Sequence, residues 1–295
     1  IGDVNGDSID DAVIGDSTAS TNAGKIYVLF GPLAGDGSTP SVCTKVIPAA
    51  LDGTNGAYFY ATGATAFGQA VAVADVNNDG IKEIITTSSN GIYIFLGRSV
   101  AWSSSYDLSD ISNAHLINTA TSKPAWITSA ANPVVVRVDD VNNDGKRDLL
   151  FGIDSSQTPT GCSNGNNTGS IYVIFQPSAG WTSANLFSGN ANVTCDANEL
   201  NTAAFSGFRI DGAAAGDYAD IPLVTDLNMD SKKEIIVAAP GYKSEGGIFT
   251  LFGRKTVPWD DVIDLGNLDF AAGSSSSSST SSSSSMCSRY PWKRP

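Results

Sequence analysis

Asp75-Val76-Asn77-Asn78-Asp79-Gly80-Ile81-Lys82-Glu83 lies between two apolar runs, Ala70-Val71-Ala72-Val73-Ala74 before it and Ile84-Ile85-Thr86 after it. The runs are short and rich in β-branched residues, so they predict strands, and the polar nonapeptide predicts the tight loop between them. The same pattern, D-x-N-x-D-x-x-x-[DE], starts at Asp3, Asp75, Asp140 and Asp226. Recurrence at intervals of about 65 to 86 residues marks a repeat architecture.

The surroundings recur with the loop. Apolar runs precede it at Val134-Val135-Val136-Arg137-Val138 and Ile221-Pro222-Leu223-Val224, and short runs follow it at Ala12-Val13-Ile14, Leu149-Leu150-Phe151 and Ile235-Ile236-Val237. A third strand is expected at Lys25–Gly31, Ile92–Gly97, Ile171–Phe175 and Ile248–Gly253. A variable stretch then supplies a fourth strand, for which His115-Leu116-Ile117 is one candidate. No segment shows sustained helical periodicity. The expected fold is all-β, with three or four strands per repeat arranged as blades of a β-propeller.

Alternate residues of such a loop turn toward one centre. The expected ligands in the first loop are Asp3, Asn5, Asp7 and Asp11, with the backbone carbonyl of Ile9. In the second they are Asp75, Asn77, Asp79 and Glu83 with Ile81, and in the third Asp140, Asn142, Asp144 and Asp148 with Lys146. The fourth loop offers Asp226, Asn228, Asp230 and Glu234 with Lys232. Three carboxylates per loop repel unless a cation lies between them. Hard oxygen donors without His or Cys select Ca²⁺, up to four ions in all, over zinc, copper or a tightly octahedral Mg²⁺. The competing reading is a set of Asx-turns. An EF-hand needs its last acid at position 12 and helices on both sides, and neither is present. Ser8 and Ser231 stand where glycine would ease the turn, which weakens the first and fourth loops.

This combination resembles the FG-GAP repeat of the integrin α-subunit β-propeller, over roughly residues 1–255. Phe67-Gly68 precedes the second loop where the family's first dipeptide falls, and Ala239-Pro240-Gly241 follows the fourth strand pair as its second element does. The third repeat has Trp126 and no Phe-Gly. The resemblance implies calcium loops that rigidify the blades on one face and partner-binding loops on the other. The first repeat begins at its loop, so its innermost strand is expected from outside these residues, from a partner, or from the C-terminal segment.

Composition narrows the function. The chain has 295 residues and a formal net charge of −13, which excludes the basic face of a nucleic-acid binder. No uncharged apolar stretch is long enough to span a bilayer. Residue 1 is Ile with no leader before it, so any signal peptide is expected to have been removed or to lie outside this sequence. Of the four cysteines, Cys162 and Cys195 are the candidate disulfide pair, and Cys43 and Cys287 have no assigned partner. Asn166 and Asn192 begin acceptor sequons. Sequons, a candidate disulfide and scarce lysine together favour an extracellular or cell-surface location.

Three segments are expected: propeller blades over 1–273, a Ser/Thr-rich linker or glycosylated stalk over 274–285, and a basic aromatic tail over 286–295. Candidate glycans fall on Asn166, Asn192 and the Ser274–Ser285 tract. The leading function is a non-enzymatic adhesion or assembly module with structural calcium and a protein partner or self-association. A second reading is a structural subunit of an extracellular fibre or appendage, joined through an open blade edge and anchored by Tyr290 and Trp292. A third is the non-catalytic part of a hydrolase. His115 is the sole histidine and reads as a surface or satisfied residue, and the pairs Asp139-Asp140 and Asp260-Asp261 read as solvated or metal-loop acids rather than a glycosidase dyad. Trp102, Trp181 and Trp259 each follow a third strand, which suggests a repeated packing role.

Overall fold

The computed structural model describes residues 1–32, 51–60, 66–89, 91–107, 125–129, 133–153, 168–176, 191–193, 206–253, 262–266 and 287–289. In chain order the strands are β1 (Ala12–Asp16), β2 (Lys25–Leu29), β3 (Gly56–Tyr60), β4 (Val71–Ala74), β5 (Glu83–Ser88), β6 (Gly91–Phe95), β7 (Ser105–Asp107), β8 (Ala125–Ser129) and β9 (Pro133–Asp139). They continue as β10 (Asp148–Ile153), β11 (Ser170–Ile174), β12 (Ala191–Val193), β13 (Gly207–Asp211), β14 (Ile221–Thr225), β15 (Glu234–Ala239), β16 (Gly247–Leu251), β17 (Val262–Asp264) and β18 (Cys287–Arg289). Helical structure among the described residues is confined to two short turns, Ala19–Asn22 and Tyr242–Ser244. Among the described residues no helix is long and apolar enough to cross a membrane. The protein is therefore mostly β-sheet, as the short β-branched runs predict.

The chain forms two compact units, Ile1–Ser129 with Ser178–Ala191, and Ala130–Pro177 with Asn192–Pro295. The first unit holds the first sheet, ordered β1-β2-β3-β7, and the second sheet, in which β8-β6-β5-β4 follow one another with β12 beyond β8 where the chain leaves this unit. The second unit holds the third sheet, ordered β17-β13-β11-β10-β9, and the fourth, ordered β14-β15-β16-β18. Most neighbours in the sheets are antiparallel, and the last three predicted loops each join two of them, β4 to β5, β9 to β10 and β14 to β15, while the first is closed by the Gly2–Asp11 bridge ahead of β1.

Alternation fills each core. In β2, Ile26 and Val28 are buried while Lys25, Tyr27 and Leu29 on the other face are half-buried. Ile26 and Val28 join Phe59, Phe67, Ile84, Tyr93 and Phe95 in the core of the first unit. The second unit packs Leu150, Ile171, Val173 and Phe208 against Ile235, Val237 and Phe249. Burying a side chain of this size contributes about 1.5–3 kcal/mol, and these clusters hold the sheets face to face.

Phe67-Gly68 has a defined task. Phe67 is buried edge-on to Tyr93 at 5.4 Å and forms a parallel bridge with Gly24 of the first sheet. Gly24 has φ +87°, and a Cβ there would collide with the Phe67 backbone. In the second unit Gly169, φ +75°, meets the backbone of Ala219 in the same way. Ala219-Asp220 thus occupies in the fourth repeat the place that Phe67-Gly68 holds in the second, since Gly169 meets Ala219 and Gly152 meets Asp220 as Gly24 meets Phe67 and Gly15 meets Gly68.

The outer strands depart from a simple meander. β7 follows β6 in the chain but pairs parallel with β3 of the preceding sheet. β17 follows β16 and pairs parallel with β13 in the same manner. The fourth strand position is filled by β3, β8 and β13 in the first three sheets. In the fourth it is filled by β18, from the basic tail, pairing antiparallel with β16. The C-terminal segment therefore completes the outer edge of the fourth sheet rather than the inner edge of the first. His115, Cys43, Cys162, Cys195, Asn166, Trp181, Trp259, Asp260, Asp261, Tyr290, Trp292 and the serine tract lie outside the described residues. Asn192 falls in β12. Trp102 packs edge-on against Phe30 at 5.2 Å and Tyr106 at 6.0 Å, under the Arg98 guanidinium at 4.8 Å, which is the expected packing role.

Candidate metal centre

All four loops share one backbone scaffold, and the D-x-N-x-D side chains build it. The position-1 acid accepts backbone N–H bonds from across its loop: Asp3 from Ser8 at 2.7 Å, Asp75 from Gly80 at 3.0 Å, Asp140 from Gly145 at 2.8 Å and Asp226 from Ser231 at 3.0 Å. The Asn at position 3 accepts from the N–H of position 5, at 2.9 Å in Asn5, Asn77 and Asn228 and 3.0 Å in Asn142. The acid at position 5 accepts from position 7, at 2.8 Å in Asp7 and Asp79 and 2.9 Å in Asp144 and Asp230. These are nested Asx-turns, and they bring the polar side chains of each loop to one side of its backbone.

Position 6 is left-handed throughout, with φ 69° at Ser8, 90° at Gly80, 86° at Gly145 and 68° at Ser231. The two serines keep the turn at a conformational cost of about 1 kcal/mol each.

The acid at position 9 points inward. Asp11, Glu83, Asp148 and Glu234 are buried. Each bolts its loop shut by accepting the N–H of position 2: Val4 at 2.8 Å, Val76 at 2.7 Å, Val141 at 2.9 Å and Leu227 at 2.7 Å. The second carboxylate oxygen reaches the chain just past the third strand, accepting from Gly31 at 3.0 Å, Gln176 at 2.9 Å and Gly253 at 3.4 Å. In the second loop Gly97 stands at that place, but Glu83 Oε1 receives no well-formed hydrogen bond among the described residues. Burial drives the Glu83 carboxyl up to about 8, and the nearby Asp79 and Asp75 push the same way, while the Val76 and Gly97 N–H groups oppose them. Burial raises Asp148 to about 7 and also raises Asp11, with the loop's own acids adding to both. Among the described residues no Lys or Arg forms an ion pair with any of the four.

Among the described residues, no three His, Cys, Asp or Glu side chains are gathered into a metal-holding group. The hydrogen bonds above explain this: backbone N–H groups take the oxygens that a cation would otherwise draw together. The donor set nonetheless fits a hard cation, being all oxygen. The second loop fits best, because Asp75 Oδ1 and Glu83 Oε1 are both buried and receive no well-formed hydrogen bond among the described residues. The fourth fits least, because Lys232 places its own ammonium 3.0 Å from Asp230 Oδ2.

The partners of position 9 were not anticipated from the loop motif. A signal for them does exist in the sequence: Gly31, Gly97 and Gly253 recur just after the third strand, with Gln176 in the third repeat. No family model matches the chain, and no curated protein matches it.

Proposed function

We propose that this protein is a non-enzymatic, extracellular module of FG-GAP-like propeller blades that binds Ca²⁺ in its acidic loops and serves adhesion or assembly. The observation that carries this reading is the buried carboxyl at position 9 of each loop, which has no basic partner among the described residues and lies beside further acids. A divalent cation supplies the missing positive charge and an oxygen-coordinating centre. The chain's own residues do the rest. Asp75 and Glu83 present buried oxygens, the Asx-turns hold the loop backbone, and position 9 ties the loop to the third strand. Calcium is then a stability element, because only the folded loop presents the ligands together. Sequons and low lysine content support the extracellular assignment, and the Phe67 contact with Gly24 supports the FG-GAP likeness.

The test is calorimetric titration of the EDTA-stripped chain with calcium, alongside melting curves and elemental analysis. Saturation at about a hundred times Kd should add about 2.7 kcal/mol per site. An unchanged melt together with no calcium in the purified protein overturns the reading.

A further inference from the structure

Within the first unit, the first and second acidic loops meet through their backbones. The Lys82 N–H donates to the Asp3 carbonyl at 2.9 Å, and the Arg98 N–H donates to the Val4 carbonyl at 3.0 Å. Both acceptors open the first loop. Asp3 is its position-1 acid, and Val4 gives its own N–H to the position-9 acid Asp11 at 2.8 Å. Both donors belong to the second repeat. Lys82 is position 8 of the second loop, between Ile81 and Glu83, and Arg98 lies just past β6. Side chains back the contact. Lys82 Nζ lies 3.6 Å from Asp10 Oδ1, and Gly6, φ +77°, faces Ile81, whose Cδ1 would stand 3.0 Å from a Cβ there.

The peptide group between Ile81 and Lys82 is therefore shared by the two loops. Its oxygen is the position-7 ligand expected of the second loop, and its N–H holds the first loop at Asp3. A trans peptide sets these two atoms on opposite sides of one rigid plane, so the group cannot turn toward one loop without moving against the other. Polarising its oxygen also makes its N–H a stronger donor, because hydrogen-bonded groups in series polarise one another. The second unit has a similar pair of charges without this link. Lys233, at position 8 of the fourth loop, reaches Asp139 at 3.5 Å, but among the described residues no backbone hydrogen bond joins the third loop to the fourth. A part-exposed ion pair alone contributes little.

We propose that the first and second loops bind calcium as one cooperative pair, coupled through the Ile81–Lys82 peptide group. Ordering this group once serves both loops, so whichever loop is filled second is already held in place. The coupling is a property of the chain's own backbone: Lys82 fixes Asp3, Arg98 fixes Val4, and Val4 in turn is claimed by Asp11. Lys82 is thus a positioning residue for the first loop while its neighbours Ile81 and Glu83 serve the second.

This inference rests on the calcium reading above, and the experiment separates the two. Hydrogen exchange of the full EDTA-stripped chain, read peptide by peptide by mass spectrometry as calcium is added, gives each loop its own affinity. High salt screens the plain effect of altered charge. Asp79→Asn removes a charge from the second loop and keeps the acceptor for the Ile81 N–H, so the fold is retained. It should weaken calcium binding in the first loop by at least about 5-fold. Asp7→Asn, which likewise keeps the acceptor for Ile9, should weaken the second loop by the same factor, because coupling between sites is reciprocal. The fourth loop should keep its affinity in both variants. Lys82→Gln removes the ammonium and keeps the N–H, so the effect of Asp79→Asn on the first loop should survive in that background. Loops that bind calcium with affinities unmoved by each other's ligands overturn the coupling and leave the calcium reading standing. Equal weakening of the fourth loop, or loss of the effect with Lys82→Gln, also overturns it, since a general charge effect or the ion pair would then be the cause. A chain that takes up no calcium overturns both.

Discussion

The Glu83 carboxylate accepts the Val76 N–H at 2.7 Å with one oxygen, while the other, buried, receives no well-formed hydrogen bond among the described residues. One side chain thereby closes the second loop and, when ionised, puts at its base a charge with no basic partner among the described residues. Glu83→Gln keeps an acceptor for Val76 and removes the charge. In EDTA at pH 8 the variant should be at least as stable as wild type. In calcium it should lose the second loop's share of the stabilisation, read as a smaller rise in Tm on adding the ion. A variant that responds to calcium like wild type removes Glu83 from the site.

The raised carboxyls set a pH dependence for the calcium-free chain. Glu83 rises from 4.5 to about 8 and Asp148 from 3.8 to about 7. Between those limits the folded state holds protons that the unfolded state has released, so stability is full below the unfolded values and falls as pH climbs through the folded ones. Each group contributes a slope of about 1.4 kcal/mol per pH unit inside its window. Urea unfolding in EDTA should show a loss of stability from pH 5 to 8, and saturating calcium should flatten it. A flat profile without calcium would mean that these carboxyls are ionised in the folded chain.

In the fourth loop the Lys232 ammonium lies 3.0 Å from Asp230 Oδ2 and competes for the oxygen a metal needs. Lys232→Gln should tighten the weakest calcium step, seen by titration calorimetry as a shift toward higher affinity in one site only. The surface pair itself is worth under about 1 kcal/mol, so the fold should tolerate the change.

Phe67 is buried among Tyr93, Phe95 and the Gly24 backbone. Phe67→Ala should leave a cavity and lower stability by about 3–5 kcal/mol, measured by urea unfolding. The far-UV spectrum should be retained, because the loss falls on packing between sheets and not on strand pairing.

Strand content and loop positions were readable because alternation and the D-x-N-x-D spacing are local signals. Val71–Ala74, Ile84–Thr86 and the runs opening at Lys25 and Ile92 all became strands. Pairings set by distant residues were not readable. The parallel contact of Ser105–Asp107 with Tyr58–Tyr60 and the use of Cys287–Arg289 beside β16 leave no periodic trace, since three-residue strands carry almost no pattern. At the loops the acids were legible as a set, but the inward turn of position 9 was not. The spacing reads the position-9 acid as one more ligand turned to the loop's centre, and its hydrogen bonds from the N–H groups of Val4, Val76, Val141 and Leu227 carry no mark in the sequence.

The returning strands have a mechanical consequence. Because β7 leaves the second sheet to lie parallel along β3, and β17 leaves the fourth to lie along β13, neighbouring sheets within a unit are laced together by covalent chain. Pulling two such sheets apart must first shear a short strand lengthwise off its neighbour, breaking several hydrogen bonds at once rather than one after another. The smallest piece that keeps its lacing intact is a pair of repeats, so a cut between Phe95 and Ser105 would damage the sheet before the cut as well as the one after it.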